Sequence, residues 1–263
     1  MKLTPIIRYY FGKSNRKRID MNALDDMKWK TSFKSEDADF EFSFSAVREV
    51  CENVSVGVQI EFNDWSKDNY VLLPAAAYNG NRFVTFKQDY PPLIRDKSAF
   101  RVDMPVYQND VPRLNIDPGN SIIQQLAGDM SIPCIGVFFP KKLKALFLFG
   151  TQQVKGWETG YEIEESLDRE KAFLTVIAPG VRSGLIYKGM QFSVPSPDKP
   201  AHFEKGDEII LPLGIYYDDC TGIDEFFELF VKYRENYHKN EIINDLIKKE
   251  MDRLFGKIKN IGA

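Results

Sequence analysis

Across residues 40–181 hydrophobic and polar positions alternate with a period of two. Phe40, Phe42 and Phe44 flank Glu41 and Ser43, and Val54, Val56, Val58, Ile60 and Phe62 alternate with Ser55, Gly57, Gln59 and Glu61. Successive side chains of a pleated strand point to opposite sides, so each run predicts a strand with one buried and one wet face. Continuous apolar runs at 135–139, 145–149 and 173–177 predict central strands covered on both faces. Turn residues punctuate the pattern at Asn79-Gly80-Asn81, Pro91-Pro92, Asp117-Pro118-Gly119 and Lys205-Gly206-Asp207. Together these features predict a mostly β fold, a large antiparallel β-sandwich over residues 1–220, with a C-terminal helical extension over 221–263.

After Gly222 the period becomes helical. Ile223, Phe226, Phe227, Phe230 and Val231 share a face, Thr221 or Gly222 can open the helix, and Asp224 and Glu225 suit its first turn. A second helical stretch carries a stripe from Ile242 to Ile258, formed by Ile242, Ile243, Leu246, Ile247, Met251, Leu254, Phe255 and Ile258. Burying such side chains contributes at most ~1.5–3 kcal/mol each. The stripe is therefore expected to cover itself on the sandwich, on a second copy or on a helical-barrel domain.

Composition narrows the chemistry. Over 263 residues, 35 basic side chains stand against 38 acidic ones, for a net charge of −3. No broad basic face for a phosphate backbone is implied, so no nucleic-acid partner is expected, and the run 13–18 reads as a solvated loop. Two histidines, His202 and His238, cannot build a three-histidine zinc site. Cys51, Cys134 and Cys220 lack paired spacing and read as buried small hydrophobes in a reducing compartment. No metal and no cofactor is expected. Neither a signal peptide nor a membrane span is apparent, which places the chain as written in the cytoplasm, or in the periplasm if its start has been lost.

Two stretches carry candidate chemistry. Sugars are recognised by aromatic rings against their C–H faces and by planar amides or guanidinium groups against paired hydroxyls. Tyr78, Asn79, Asn81 and Arg82 supply both kinds as a candidate carbohydrate-binding loop, although Asn-Gly also suits a two-residue hairpin turn and Arg82 can pair with a carboxylate. Glu162 and Glu164 share one strand face about 7 Å apart, with Glu165 on the other, a spacing that fits acid and base in glycoside hydrolysis as well as an ordinary solvated face. His202, in a Pro- and Lys-rich loop, reads as incidental, and His238 as a helix-end cation.

The order of several motifs resembles the N-terminal super-sandwich of bacterial six-hairpin glycosidase-like proteins. These are the stretch 70–83 with Tyr-Asn-Gly-Asn-Arg-Phe, Gly128-Asp129-Met130-Ser131-Ile132-Pro133, Glu164-Glu165-Ser166 and Ala178-Pro179-Gly180-Val181-Arg182. The helix at 223–237 is similar to the linker that leads in such proteins to an (α/α)6 barrel. The resemblance implies a carbohydrate-associated accessory domain, non-catalytic by itself, because the sequence stops about where the catalytic barrel would begin. An oligosaccharide or polysaccharide is the implied partner. A free-standing carbohydrate-binding sandwich and a galactose-mutarotase-like sugar epimerase are the alternatives.

Overall fold

The structure, a computed structural model, describes residues 2–12, 17–48, 51–82, 112–116, 121–183, 185–187 and 193–237. In chain order these begin with β1 (Lys2–Phe11), β2 (Lys17–Asn22), β3 (Trp29–Glu36), β4 (Asp39–Ala46), β5 (Cys51–Phe62) and β6 (Tyr70–Leu73). Next come β7 (Ala77–Tyr78), β8 (Ser121–Leu126), β9 (Cys134–Phe139), β10 (Lys144–Gly150), β11 (Gln153–Val154) and β12 (Trp157–Glu158). The remainder are β13 (Gly160–Glu165), β14 (Ala172–Ala178), β15 (Leu185–Tyr187), β16 (Ser193–Pro195), β17 (Ala201–Phe203), β18 (Glu208–Asp219) and helix α1 (Ile223–Tyr237).

Two antiparallel sheets make the sandwich. Sheet A runs β2-β1-β5-β14-β13-β8, with β17 added along the first residues of β5, and sheet B runs β3-β4-β18-β10-β9-β6-β7. Their inner faces interdigitate as expected for packed sheets. Val54, Val56, Val58, Ile60, Ile163, Leu174 and Val176 of sheet A meet Phe42, Phe44, Val137, Leu146, Leu211 and Leu213 of sheet B. The three continuous apolar runs form β9, β10 and β14, buried on both faces as expected.

One expectation about β5 needs correction. Its inward residues are those the alternation picks out, but the other face is not wet: Ser55 and Gly57 are buried and Gln59 and Glu61 partly so. β5 lies inside sheet A, where long side chains from β1, β2 and β13 cross over it.

Helix α1 begins where Thr221 donates both its backbone N–H and its hydroxyl to the Glu225 carboxylate, each at 2.7 Å. It lies on the outer face of sheet B. Phe226 stacks on Phe147 with ring centroids 4.9 Å apart, Tyr233 on Tyr216 at 4.3 Å, and Phe230 and Tyr237 on Phe149 at 6.0 and 5.6 Å. A side chain at Gly214 would overlap the Tyr237 ring, so glycine there is what lets the helix end settle. The covered stripe is thus Phe226, Phe230, Tyr233 and Tyr237, while Ile223 and Val231 are exposed. Tyrosine serves on this face because its ring packs while its hydroxyl reaches out, as Tyr233 does in donating to Asp218.

The three cysteines are buried and free of disulfides. No helix among the described residues is long and apolar enough to cross a membrane. Phe83, Pro91-Pro92, Asp117-Pro118-Gly119, His238 and the stripe from Ile242 to Ile258 lie outside the described residues.

Candidate functional site

Strand β13 carries three glutamates and divides them between two charge networks. Glu162 and Glu164 point to the outer face of sheet A; Glu165 points toward the interior. Period two predicts this division, but not what each carboxylate meets.

On the outer face, Glu162 is buried, with only 4% of its surface exposed. One of its oxygens accepts from Nη1 of Arg8 at 2.6 Å and from Nη1 of Arg18 at 3.1 Å; the other accepts from Nε2 of Gln124 at 2.8 Å. Arg8, 1% exposed, forks onto Asp20 through Nε at 2.6 Å and Nη2 at 2.8 Å. Burial by itself would lower the Arg8 pKa, but Glu162 and Asp20 outweigh it and hold the guanidinium above its ordinary value. Arg18 uses its second nitrogen on Glu164, so one guanidinium bridges both candidate carboxylates. The basic run is therefore not all solvated loop: Lys17 and Arg18 belong to β2, and Arg18 is drawn into the network.

This bridge determines the shape of the face. β2 and β13 are four strand steps apart in sheet A, about 19 Å across a flat sheet. An arginine and a glutamate together cannot span that distance, so sheet A must curl toward its outer face, which is concave. Cross-strand partners arrange the rest: Glu162 is opposite Gln124 and Thr175, Thr175 is opposite Gln59, and Glu164 is opposite Phe173. The Gln59 amide donates to Thr175 at 3.3 Å. Gln59, Gln124 and Phe173 are only partly buried, and the Glu164 side chain is 48% exposed. The concave face thus offers the Gln59 amide, the Glu164 carboxylate and the Phe173 ring to an approaching molecule.

On the inner side, Glu165 joins the two stretches singled out from sequence. It accepts from both terminal nitrogens of Arg82, at 3.0 Å for Nη1, from Ser121 Oγ at 2.6 Å and from Trp65 Nε1 at 2.6 Å. Burial alone would raise its pKa, but Arg82, Ser121 and Trp65 together hold the carboxyl below its ordinary value. Beside it, Trp65, Lys67, Lys141, Asp168 and Arg169 help to line a groove of about 450 Å³.

The loop itself is not a two-residue hairpin connection. Leu73 pairs with Ala77, so residues 74–76 make the β6–β7 turn. Asn79, Gly80 and Asn81 then form a separate left-handed turn with φ of 52°, 60° and 49°, a region that asparagine and glycine tolerate. A Cβ at Gly80 would also collide with Leu114. The Asn81 amide donates to the carbonyls of Ala76 at 2.9 Å and Pro112 at 2.7 Å and accepts from the Tyr78 N–H at 3.1 Å. Asn81 and Arg82 are thus bound to the protein, whereas Tyr78 and Asn79 are exposed.

His202 lies in strand β17 rather than in a loop, its imidazole 3.8 Å from Glu52 and 4.0 Å from Glu204. Among the described residues no three His, Cys, Asp or Glu side chains gather as metal ligands. Sequence reasoning missed Arg8, Arg18, Asp20, Gln59 and Gln124. Their one signal is alternation: Arg8 interrupts an apolar stretch of β1, and Gln59 sits between valine and isoleucine of β5.

No known protein family and no curated protein matches this sequence. Solved structures that resemble it include the Slr1438 protein from Synechocystis sp. PCC 6803, at 10% identity and a TM-score of 0.38, covering 80% of this chain and 61% of that one. A putative aldose 1-epimerase from Escherichia coli K12 is similar at 10% identity and a TM-score of 0.39, covering 82% and 66%. The chain spans less than two thirds of either neighbour, and likeness at this level does not bear on its function.

Proposed function

We propose that this chain is a non-catalytic carbohydrate-associated sandwich that meets an oligosaccharide or polysaccharide on the concave face of sheet A, as an accessory of a glycoside-hydrolase-like protein. The observation that carries the reading is the state of Glu162. With three donors on about four acceptor positions, it is committed to Arg8, Arg18 and Gln124 and is poorly placed to exchange a proton with a glycosidic oxygen. Glu164 shares the Arg18 guanidinium with it. What remains open on that face suits recognition: the amide of Gln59 for hydroxyls and the Phe173 ring for C–H faces. Tyr78 and Asn79 form a second exposed aromatic and amide pair, on the loop after β7.

Calorimetric titration with neutral and uronic oligosaccharides tests the reading. Binding to the parent should weaken about tenfold or more in Gln59→Ala and Phe173→Ala. Tyr78→Ala and Asn79→Ala report separately on the loop. Binding unchanged in all four variants would refute both locations. Polarimetry on reducing sugars and a reducing-end assay on polysaccharides should show no turnover; activity lost in Glu162→Gln would overturn the non-catalytic reading in favour of the epimerase or hydrolase alternatives.

A further inference from the structure

Strands β2 and β3 end sheets A and B and are joined by residues 23–28, so both terminal strands flank the same side of the sandwich. That side is not closed. Directly opposed residues of neighbouring strands share a face: Phe33 is opposite Phe42, and Ile19 and Met21 are opposite Tyr9 and Ile7, all on the faces that build the core. Phe33 stacks on Phe42 with ring centroids 5.8 Å apart yet is 65% exposed, and Ile19 and Met21 are exposed as well. Leu24 and Met27, in the connection between the sheets, are 71% and 74% exposed. Core-side apolar residues of both sheets therefore meet water along one seam.

We propose that the chain's own stripe from Ile242 to Ile258, whose apolar residues recur at helical spacing, covers this seam and closes the sandwich. Where α1 ends decides the occupant. Its last turn runs down β18, from Tyr233 at Tyr216 and Asp218 to Tyr237 at Gly214 and Pro212. Gly214 and Leu211 are opposite Asp39 and Phe42 of β4, which are opposite Glu36 and Phe33 of β3. The chain thus leaves α1 nearly level with Phe33 and two strands away, about 10 Å. The five steps from Tyr237 to Ile242 reach up to about 17 Å, enough to carry the stripe round the edge of sheet B. On the way His238 and Lys239 pass the β3–β4 turn, where Glu36, Asp37 and Asp39 are exposed and acidic. At helical rise residues 242–258 span about 25 Å, which matches the length of β3, about 26 Å. The outer side of β3 and β4, within the same reach, presents Lys30, Ser32, Lys34, Glu41 and Ser43 and gives an apolar stripe nothing to bury against. The seam is separate from the concave face, and its closure does not depend on the sugar reading.

Photo-crosslinking of the full chain tests the contact. Phe33→p-benzoylphenylalanine, irradiated and digested, should join position 33 to a peptide from 242–258 within a single chain. Trypsin should cut the parent slowly after Lys248 and Lys249, and about tenfold faster or more in Phe33→Glu and Leu246→Glu, with the far-ultraviolet spectrum of the sheets retained. Lys34→Glu, one residue along β3 and on its outer side, should be cut as the parent is. A cross-link from position 33 to a second copy, or none to 242–258, overturns the proposal. So does cleavage unchanged in Phe33→Glu, or accelerated equally in Lys34→Glu.

Discussion

Replacing Glu162 with glutamine removes one charge and reverses one hydrogen bond in the buried network. The amide oxygen can keep the two donors from Arg8 and Arg18, but its NH2 then faces Nε2 of Gln124, donor against donor. Gln124 cannot turn to accommodate it without cost, because its oxygen already accepts from the Ser183 N–H and hydroxyl, each at 3.0 Å. Breaking a buried ion pair by neutralising one partner costs about 3–5 kcal/mol. Asp20 still neutralises Arg8, which places Glu162→Gln near the lower end, about 3 kcal/mol. Urea unfolding followed by far-ultraviolet circular dichroism should show a lower midpoint at unchanged slope. Glu61→Gln, on the same sheet face, is the control and should stay within about 0.5 kcal/mol. A loss below about 1 kcal/mol for Glu162→Gln would refute the clamp and return Glu162 to the pool of groups free for chemistry.

Two further outcomes follow from the packing and from the interior carboxylate. Phe226→Ala should destabilise by about 3–5 kcal/mol and expose α1 to limited proteolysis, because the ring is fully buried between the helix and sheet B; a helix that stays resistant, with stability unchanged, would show that it does not depend on this contact. Glu165 has a folded-state pKa below its ordinary 4.5, so the stability it contributes is present above that value and lost as pH falls through the lower folded one. Stability of the parent should therefore decline below about pH 4.5 more steeply than that of Glu165→Gln, and parallel profiles would remove the Arg82–Glu165 pair as the cause.

Particular residues show why some features were readable and others were not. The position of α1 was legible because helical spacing, a capping threonine and first-turn acids act over a few residues. Its covered face was read only in part: Ile223 looks more apolar than Tyr233, yet the facing sheet offers Phe147 and Tyr216 to tyrosine rings and leaves Ile223 outside. Likewise Arg82 was recognisable as a group needing a partner, but that the partner is Glu165, 83 residues later, depends on how sheet A meets the loop after β7.

The sequence by itself determined which residues alternate, where strands must turn and where a helix replaces them, since period, capping and turn geometry are local. It also placed Glu162 and Glu164 on one face and Glu165 on the other. Only the tertiary structure decided that the first face is concave and closed by Arg8 and Arg18, and that Glu165 on the second meets Arg82 from the loop after β7. Sheet order and curvature are non-local quantities. They set whether an acidic strand face meets water or two guanidinium groups, and so whether its carboxylates are free to react or are committed to holding the fold.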